Sequence, residues 1–321
     1  MLKAVVTAAV VAGFAAMTGG ASAQQYPTQD IHLVCAFPAG SGADIFVRYY
    51  AEKLRALTGK TVVVENKIGA VGNIATEYVA RAKPDGYTIY ITGGSSIAAN
   101  MSIFKNPPVD ITKTIQIVAL LNKQPYVLAV DAQKPWKSLG DLTAYLKEKK
   151  GRASYVTTNP SGKVMGALYK QLAGIEAVEV PYRTSSDSAN DLKSGALDFA
   201  MYDPVYASAG AREGRLRILA ISTGSRMEAD PSLPTMKEQG IDMDLLGWFA
   251  AMVPMGTPRP VVDHLNKLFN QINATEESRK FLNSIGGDPW IGTPEEGQAR
   301  LLRDVKDWSG YVRTANIEPQ G

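Results

Sequence analysis

Residues 31–44 read IHLVCAFPAGSGAD, and their order of apolar, turn-forming and polar residues predicts the type of fold. Its first half, up to Phe37, is an almost unbroken apolar run of strand length, and residues 38–42 have turn composition. After the turn, Phe46, Tyr50 and Leu54 recur at helical spacing. The stretch therefore predicts a strand, a tight turn and an amphipathic helix, which together form one βα unit.

The same alternation of short apolar strands and amphipathic helices continues along the chain, which predicts an α/β fold with largely parallel sheets. Residues 115–130 carry two apolar runs and are predicted to be the first passage between two lobes. Residues 247–254 are predicted to be the return passage. Further strands are predicted at residues 61–65, 87–92, 154–157, 178–181, 197–201 and 218–222.

The first residues predict export from the cytoplasm. Lys3 supplies a positive charge, residues 4–17 are apolar, and Ala21-Ser22-Ala23 is a small-residue cleavage signal. The apolar run is shorter than the roughly 20 residues that a membrane-spanning helix needs. We therefore expect residues 1–23 to be a signal peptide, cleaved near Ala23, and the mature protein to be periplasmic.

The length and composition of the chain predict two lobes without a polyanionic partner. Its 321 residues exceed what one hydrophobic core usually organises. We expect residues 24–122 plus 224–321 to form lobe 1, and residues 123–223 to form lobe 2.

The formal charge of +3 is too small to indicate nucleic-acid binding. The single Cys35 cannot form an internal disulfide, and its apolar setting predicts a buried thiol.

Ligands of open α/β sheets bind at the carboxyl ends of the strands, where the loops lead into helices. Four such loops, at residues 37–44, 92–96, 157–162 and 182–186, are rich in Gly, Ser, Thr or Asn. In the first loop, capping by Ser41 or Gly42 would leave helix N-terminal N–H groups free to attract an anion. A plain βα turn is the alternative interpretation.

Several side chains near these loops are candidate ligand groups. Asp44 would repel a bound carboxylate, so we expect it to cap backbone N–H groups or orient water. Arg183 is a candidate for a bidentate carboxylate contact, or else a surface arginine, alone or paired with Asp187 or Asp203. Tyr182 is a candidate pocket wall, Asp203 either faces the cleft or caps the next segment, and Phe37 either covers the ligand or belongs to the core.

Other chemistries find little support in the sequence. It has neither a phosphate-binding G-x-x-x-x-G-K-[ST] motif nor a complete G-x-G-x-x-G. It has neither H-E-x-x-H nor G-x-S-x-G, and its only histidines, His32 and His264, lie outside the four loops. We therefore expect no cofactor, no metal and no catalysis. A periplasmic hydrolase that uses Ser95 or Ser161 is a remote alternative.

The chain resembles the Bug-type solute receptors of tripartite tricarboxylate transporters over nearly its whole mature length. Phe37-Pro38-Ala39-Gly40, with Asp44 and Arg48, is similar to the family's F-P-x-G-G-x-x-D-x-x-x-R loop. Further matching segments lie, in order, at residues 64–73, 84–88, 181–198 and 254–258. The chain departs from the family pattern at Ser41 and at Thr184-Ser185-Ser186, where the family usually has glycines.

The resemblance implies a type II periplasmic-binding-protein fold, with a ligand cleft between two α/β lobes. It implies that backbone groups and waters of the first loop hold a carboxylate and that lobe 2 selects the rest of the ligand. With the loop analysis, it gives the expected ligand-binding residues Phe37, Ala39, Gly40, Ser41, Gly42, Ala43, Asp44, Ser95, Thr158, Asn159, Ser161, Gly162, Tyr182, Arg183, Thr184 and Asp203.

These observations predict a receptor for a small aliphatic or aromatic mono- or dicarboxylate. The resemblance implies that the loaded receptor delivers this ligand to the membrane permease subunits of a tripartite tricarboxylate transporter. A ligand sensor for a membrane signalling partner is the alternative on the same fold. A monomer is expected, because a receptor of this kind diffuses between its ligand and the membrane.

Overall fold

The computed structural model describes residues 26–321. The predicted signal peptide, residues 1–23, lies outside this range. Among the described residues, no helix has the length and apolar character that crossing a bilayer requires.

Short strands and amphipathic helices alternate as predicted. The strands, in chain order, are β1 (Ile31–Cys35), β2 (Val62–Asn66), β3 (Thr88–Gly93), β4 (Ile115–Pro125), β5 (Val127–Asp131), β6 (Ala153–Thr157), β7 (Ala177–Pro181), β8 (Phe199–Tyr202), β9 (Leu216–Ile221), β10 (Leu246–Pro254) and β11 (Asp288–Pro289). The α-helices are α1 (Gly42–Thr58), α2 (Asn73–Ala80), α3 (Gly94–Ile103), α4 (Ile111–Thr114), α5 (Leu139–Glu148), α6 (Pro160–Ala173), α7 (Ala189–Ser194), α8 (Pro204–Arg212), α9 (Arg259–Asn273), α10 (Glu276–Ser284) and α11 (Pro294–Thr314). Short 3-10 turns occupy Ala70–Gly72, Ser186–Ser188 and Lys237–Gln239.

The strands form two separate sheets. The larger sheet has the order β11-β4-β10-β3-β1-β2, and the smaller has the order β7-β6-β8-β5-β9. In the larger sheet β1 runs parallel to β2 and β3, and in the smaller one β6 runs parallel to β7 and β8. Each sheet therefore gathers three strand ends, with their following loops, at one edge.

Burial of both faces explains the apolar composition of β1. Ile31, Leu33, Val34 and Cys35 have no solvent exposure, as is typical of parallel strands covered by helices on both sides. Burial also raises the pKa of the Cys35 thiol to about 11, so the predicted buried thiol is confirmed.

The chain passes between the two sheets at Tyr126 and again between β9 and β10. Ser222 joins these passages, because its Oγ accepts the Tyr126 N–H at 2.9 Å and donates to the Leu245 carbonyl at 2.6 Å. The expected two α/β lobes are present. The lobe limits at residues 122 and 223 stay a prediction.

Two segments predicted as loops begin helices instead. Gly94 follows the last residue of β3 and starts α3 without a connecting loop. Pro160, Ser161 and Gly162 form the first turn of α6, whose N-cap is Asn159. Proline fits the first helical position because its fixed φ suits the helix and the position needs no N–H partner.

Candidate functional site

The loop after β1 ends in a helix N-terminus with free backbone donors. Ser41 is the N-cap of α1, and its side chain accepts the Asp44 N–H at 3.3 Å. Within residues 26–321, the N–H groups of Gly42 and Ala43 have no hydrogen-bond partner. Ser41, Gly42 and Ala43 are all partly exposed. These amides, aligned with the helix dipole, form a site suited to an anion.

Asp44 braces this loop from the inside. Its carboxylate is almost fully buried and accepts the Gly40 N–H and Arg48 Nε, both at 2.8 Å, and Asn66 Nδ2 at 2.7 Å. Burial opposes its ionisation, but the hydrogen bonds from Arg48, Asn66 and Gly40 hold the pKa of Asp44 below its ordinary value. The expected capping of backbone N–H by Asp44 is therefore confirmed.

The other predicted residues of the first loop have different surroundings. Gly40 has φ +80°, a conformation that favours glycine, and its N–H is already used by Asp44. Ala39 is exposed. Phe37 is partly buried, and its ring packs against Phe249 with centroids 6.1 Å apart. Only Ser41, Gly42 and Ala43 therefore combine partial exposure with the free helix N-terminus of α1.

In lobe 2 the loop after β6 leads directly into α6. Asn159 Oδ1 accepts the Gly162 N–H at 2.8 Å, which uses one of the first-turn donors. Thr158 and Asn159 are partly exposed, whereas Ser161 and Gly162 are buried. The polar groups of Thr158 and Asn159 thus lie at the surface of the second sheet's edge, and those of Ser161 lie beneath it.

Ser95 and Ser161 meet at Tyr126, a residue that the sequence did not single out. Ser95 Oγ lies 2.8 Å from the Tyr126 hydroxyl, and both residues are buried. Burial raises the pKa of Tyr126, while the neighbouring hydroxyls of Ser161 and Ser95 oppose the shift. Ser161 Oγ is fully buried and, among residues 26–321, lacks a hydrogen bond of regular geometry. The hydrogen bond between Ser95 and Tyr126 therefore links the start of α3 to the crossover, and the Ser161 hydroxyl lies buried nearby at the start of α6.

Replacing Tyr126 by phenylalanine is expected to lower the free energy of unfolding by about 1 kcal/mol, because Ser95 loses its partner inside the protein. The loss should be the same at pH 6 and pH 9, since the buried phenol stays neutral across this range. Urea unfolding followed by circular dichroism measures it. Tyr78→Phe is the matched control, because the Tyr78 ring is exposed and stacks with Lys67 through its face. Equal stabilities of Tyr126→Phe and the wild type would contradict the prediction.

The loop after β7 is held by its own polar contacts. The Tyr182 hydroxyl donates to Asp191, and the Thr184 N–H donates to Asp187 at 3.1 Å. Arg183 is exposed, and in the part of the chain that the structure describes it forms no ion pair. Its proposed pairing with Asp187 or Asp203 is thus not observed, and the guanidinium is available.

Asp203 is the N-cap of α8. Its Oδ1 accepts the Tyr206 N–H and its Oδ2 accepts the Ser185 hydroxyl, each at 2.9 Å. Of the two interpretations, the capping one is therefore observed. The helix that Asp203 caps brings Val205 against Gly42 of α1, because a Cβ built on Gly42 would lie 2.7 Å from Val205 Cγ1. This contact joins the loop edge of the larger sheet to the loop edge of the smaller sheet.

Other features of the fold lie away from these edges. A cavity of about 430 Å³ lies between α8, β9 and the loop 227–233 on one side and Pro125, Asn283 and Gly286 on the other, and none of the predicted ligand-binding residues lines it. His32 Nδ1 lies 2.7 Å from Glu65 Oε1, and His264 packs edge-on against Tyr26. Both histidines thus have local structural partners. Neither is paired with Ser95 or Ser161, the two serines that the hydrolase alternative uses as nucleophiles.

Two α/β lobes with helix N-termini at their facing edges define a type II periplasmic-binding-protein fold. The family model described as tripartite tricarboxylate transporter family receptor matches residues 46–316. The chain belongs to this receptor family, and the predicted Bug-type identity is confirmed.

Individual relatives agree with this assignment. A UPF0065 protein of Bordetella bronchiseptica is 30% identical over 299 residues, which cover 93% of this chain and 89% of that protein. The structure of R. palustris Rpa4515 with adipate has a TM-score of 0.86 and 28% identity, covering 92% of this chain and 100% of that one. The periplasmic binding protein BugD has a TM-score of 0.82 at 28% identity, with the same coverage.

Proposed function

We propose that this receptor captures a small organic mono- or dicarboxylate between its lobes. The observation that carries the proposal is the pair of N–H groups of Gly42 and Ala43 at the start of α1, which have no hydrogen-bond partner within residues 26–321 and belong to partly exposed residues. They offer a carboxylate two donors and the positive end of a 17-residue helix, an arrangement that binds an anion without a direct contact from a cationic side chain. Asp44 supports this role because Arg48 balances its charge, while the Gly40 N–H and the Asn66 amide complete its hydrogen bonds beneath the loop.

Lobe 2 supplies the groups that select the rest of the ligand. Thr158 and Asn159 expose polar side chains at the edge of the smaller sheet, and Thr184 lies partly exposed on the neighbouring loop. Arg183, free of ion pairs among the described residues, is suited to a second carboxylate. The adipate in the structure of the R. palustris relative supports a dicarboxylate as one ligand class.

The receptor acts in the periplasm as a monomer and catalyses no reaction. Its loaded form docks on the membrane permease subunits of a tripartite tricarboxylate transporter, in keeping with the receptor family to which the chain belongs. Ligand binding favours the closed arrangement of the lobes, and a differential affinity of a few kcal/mol is enough to shift the population. The permease then distinguishes the closed receptor from the open one.

Calorimetric titration of the mature protein tests this function. The panel contains succinate, glutarate, adipate, citrate and benzoate, with putrescine as a cationic solute of similar length. At least one carboxylate is expected to bind with a Kd in the micromolar range or below, and putrescine is expected not to bind. Binding of putrescine together with no response to any carboxylate would contradict an anion site at Gly42 and Ala43.

A further inference from the structure

Helix α8 of lobe 2 touches lobe 1 at three points. Val205 packs on Gly42, where an added Cβ would meet three atoms of the valine side chain at 2.7–3.2 Å. Arg212 Nη1 donates to the Ser284 carbonyl at 2.7 Å. A Cβ on Gly286 would lie 2.8 Å from Ser208 Oγ and 3.0 Å from Pro204 Cβ. Helix α8 therefore lies against lobe 1 along its length, and Val205 in its first turn is the residue that meets the start of α1.

The glycine at position 42 is explained by space and not by backbone conformation. Gly42 has no positive φ, so an alanine could adopt its helical conformation without strain. An alanine side chain would not fit at this position, because Val205 of the other lobe occupies the space that its Cβ would need. Helix α1 packs on the larger sheet and α8 on the smaller, so the spacing of Gly42 and Val205 depends on the angle between the lobes.

We propose that Val205 is a positioning residue for ligand capture, which closes over the N-terminus of α1 through its contact with Gly42. This inference rests on the proposed carboxylate-binding function. Val205 carries no polar group that would compete for the Gly42 and Ala43 amides. By packing against Gly42 it limits the access of water to the start of α1, and hydrogen bonds from amides to a carboxylate are stronger where less water competes.

A larger residue at position 42 should therefore hinder closure while leaving lobe 1 intact. Alanine favours the helix more than glycine does, so Gly42→Ala is expected to leave α1 and the rest of lobe 1 as stable as in the wild type. In the arrangement that the structure describes, a Cβ at position 42 overlaps Val205, and overpacking of this kind is costly in a tight contact. The affinity for the ligand should fall although the fold is not weakened, which a purely structural role of Gly42 would not produce.

A double-mutant cycle tests the contact. Wild type, Gly42→Ala, Val205→Gly and the double variant are titrated with the carboxylate that binds the wild type most tightly among succinate, glutarate, adipate, citrate and benzoate. Gly42→Ala is expected to raise Kd about tenfold, a modest overpacking penalty. Val205→Gly removes all three overlapping atoms, so adding Gly42→Ala to it should change Kd no further.

Gly140→Ala is the matched control, because Gly140 also lies in the first turn of a helix and an added Cβ would meet only Ser138 Oγ, at 3.6 Å. It should leave Kd unchanged. Val205→Ala serves if Val205→Gly does not fold, and it should relieve the penalty only in part, because its Cβ remains 2.8 Å away.

Two results would overturn the inference: an unchanged Kd for Gly42→Ala, or an equal rise in Kd with valine and with glycine at position 205. Both require a wild type that binds one of the probes. A wild type that binds none of them instead counts against the proposed function, so the two failures are distinguishable.

Discussion

Replacing Asp44 by alanine is expected to lower the free energy of unfolding by about 3 kcal/mol, because the donors that hydrogen-bond to the buried Asp44 carboxylate are left without an acceptor. The Gly40 N–H, Arg48 Nε and Asn66 Nδ2 all lose their acceptor. Arg48 is half exposed and regains water, whereas Asn66 is only partly exposed and recovers less. The loop that presents the Gly42 amide also loses the hydrogen bonds that fix its conformation, so the affinity for the carboxylate should fall as well.

The pH dependence provides a specific check on Asp44. Its pKa is lower in the folded protein than in the unfolded chain, so its stabilisation is complete above pH of about 4 and disappears as the pH falls through the folded-state pKa. The difference in stability between wild type and Asp44→Ala should therefore be constant near neutrality and shrink in acid. Urea titrations at several pH values measure it.

Asp242→Asn is the control for this series, since the Asp242 side chain is 87% exposed and its ion pair with Lys237 is long, at 3.6 Å. It should change stability little at any pH. A difference between Asp44→Ala and wild type that stayed the same down to pH 2 would show that the Asp44 charge does not stabilise the loop.

A methyl group at position 94 is expected to cost about 2–3 kcal/mol of unfolding free energy, the range typical of severe overpacking. A Cβ on Gly94 would lie 2.1–2.4 Å from three ring atoms of Trp248, which is fully buried. The indole cannot retreat freely, because its Nε1 donates to Asp304 Oδ2 at 2.6 Å. Gly94→Ala must therefore displace either the ring or the start of α3, which carries Ser95.

Urea unfolding, with near-ultraviolet circular dichroism as a probe of the tryptophan environment, measures this effect. Gly310→Ala is the matched control, because it makes the same change within α11 where an added Cβ meets no atom within 4 Å. That variant should be as stable as the wild type or slightly more stable. If Gly94→Ala unfolded at the same urea concentration as Gly310→Ala, the close packing of Gly94 on Trp248 would be refuted.

The sequence predicted the part of the site whose determinants are local. The apolar run of β1, the turn and the helical spacing after it lie within one short stretch, and Ser41 caps α1 as its side chain and position favour. The start of α6 was available from the same kind of reasoning. Asn159 followed by Pro160 is a helix-start signal, but Ser161-Gly162 made the segment resemble a turn.

Contacts between lobes were not predictable in this way. Tyr126 lies 31 residues from Ser95, its hydrogen-bond partner, and nothing in its immediate neighbours marks it. Val205 and Gly42 are still further apart, and a valine in the first turn of a helix reads as an ordinary apolar residue. Their meeting depends on how the two sheets are placed, which local spacing does not encode.

The link that Ser222 makes between the peptide of Tyr126 and the carbonyl of Leu245 has a mechanical consequence. Two unlinked connecting segments would permit the lobes to slide past one another. Two segments that are hydrogen-bonded to each other at one point instead act as a hinge, about which the lobes rotate. Opening should therefore rotate lobe 2, with α8, about a hinge near Ser222. The displacement of any residue of lobe 2 should grow with its distance from Ser222.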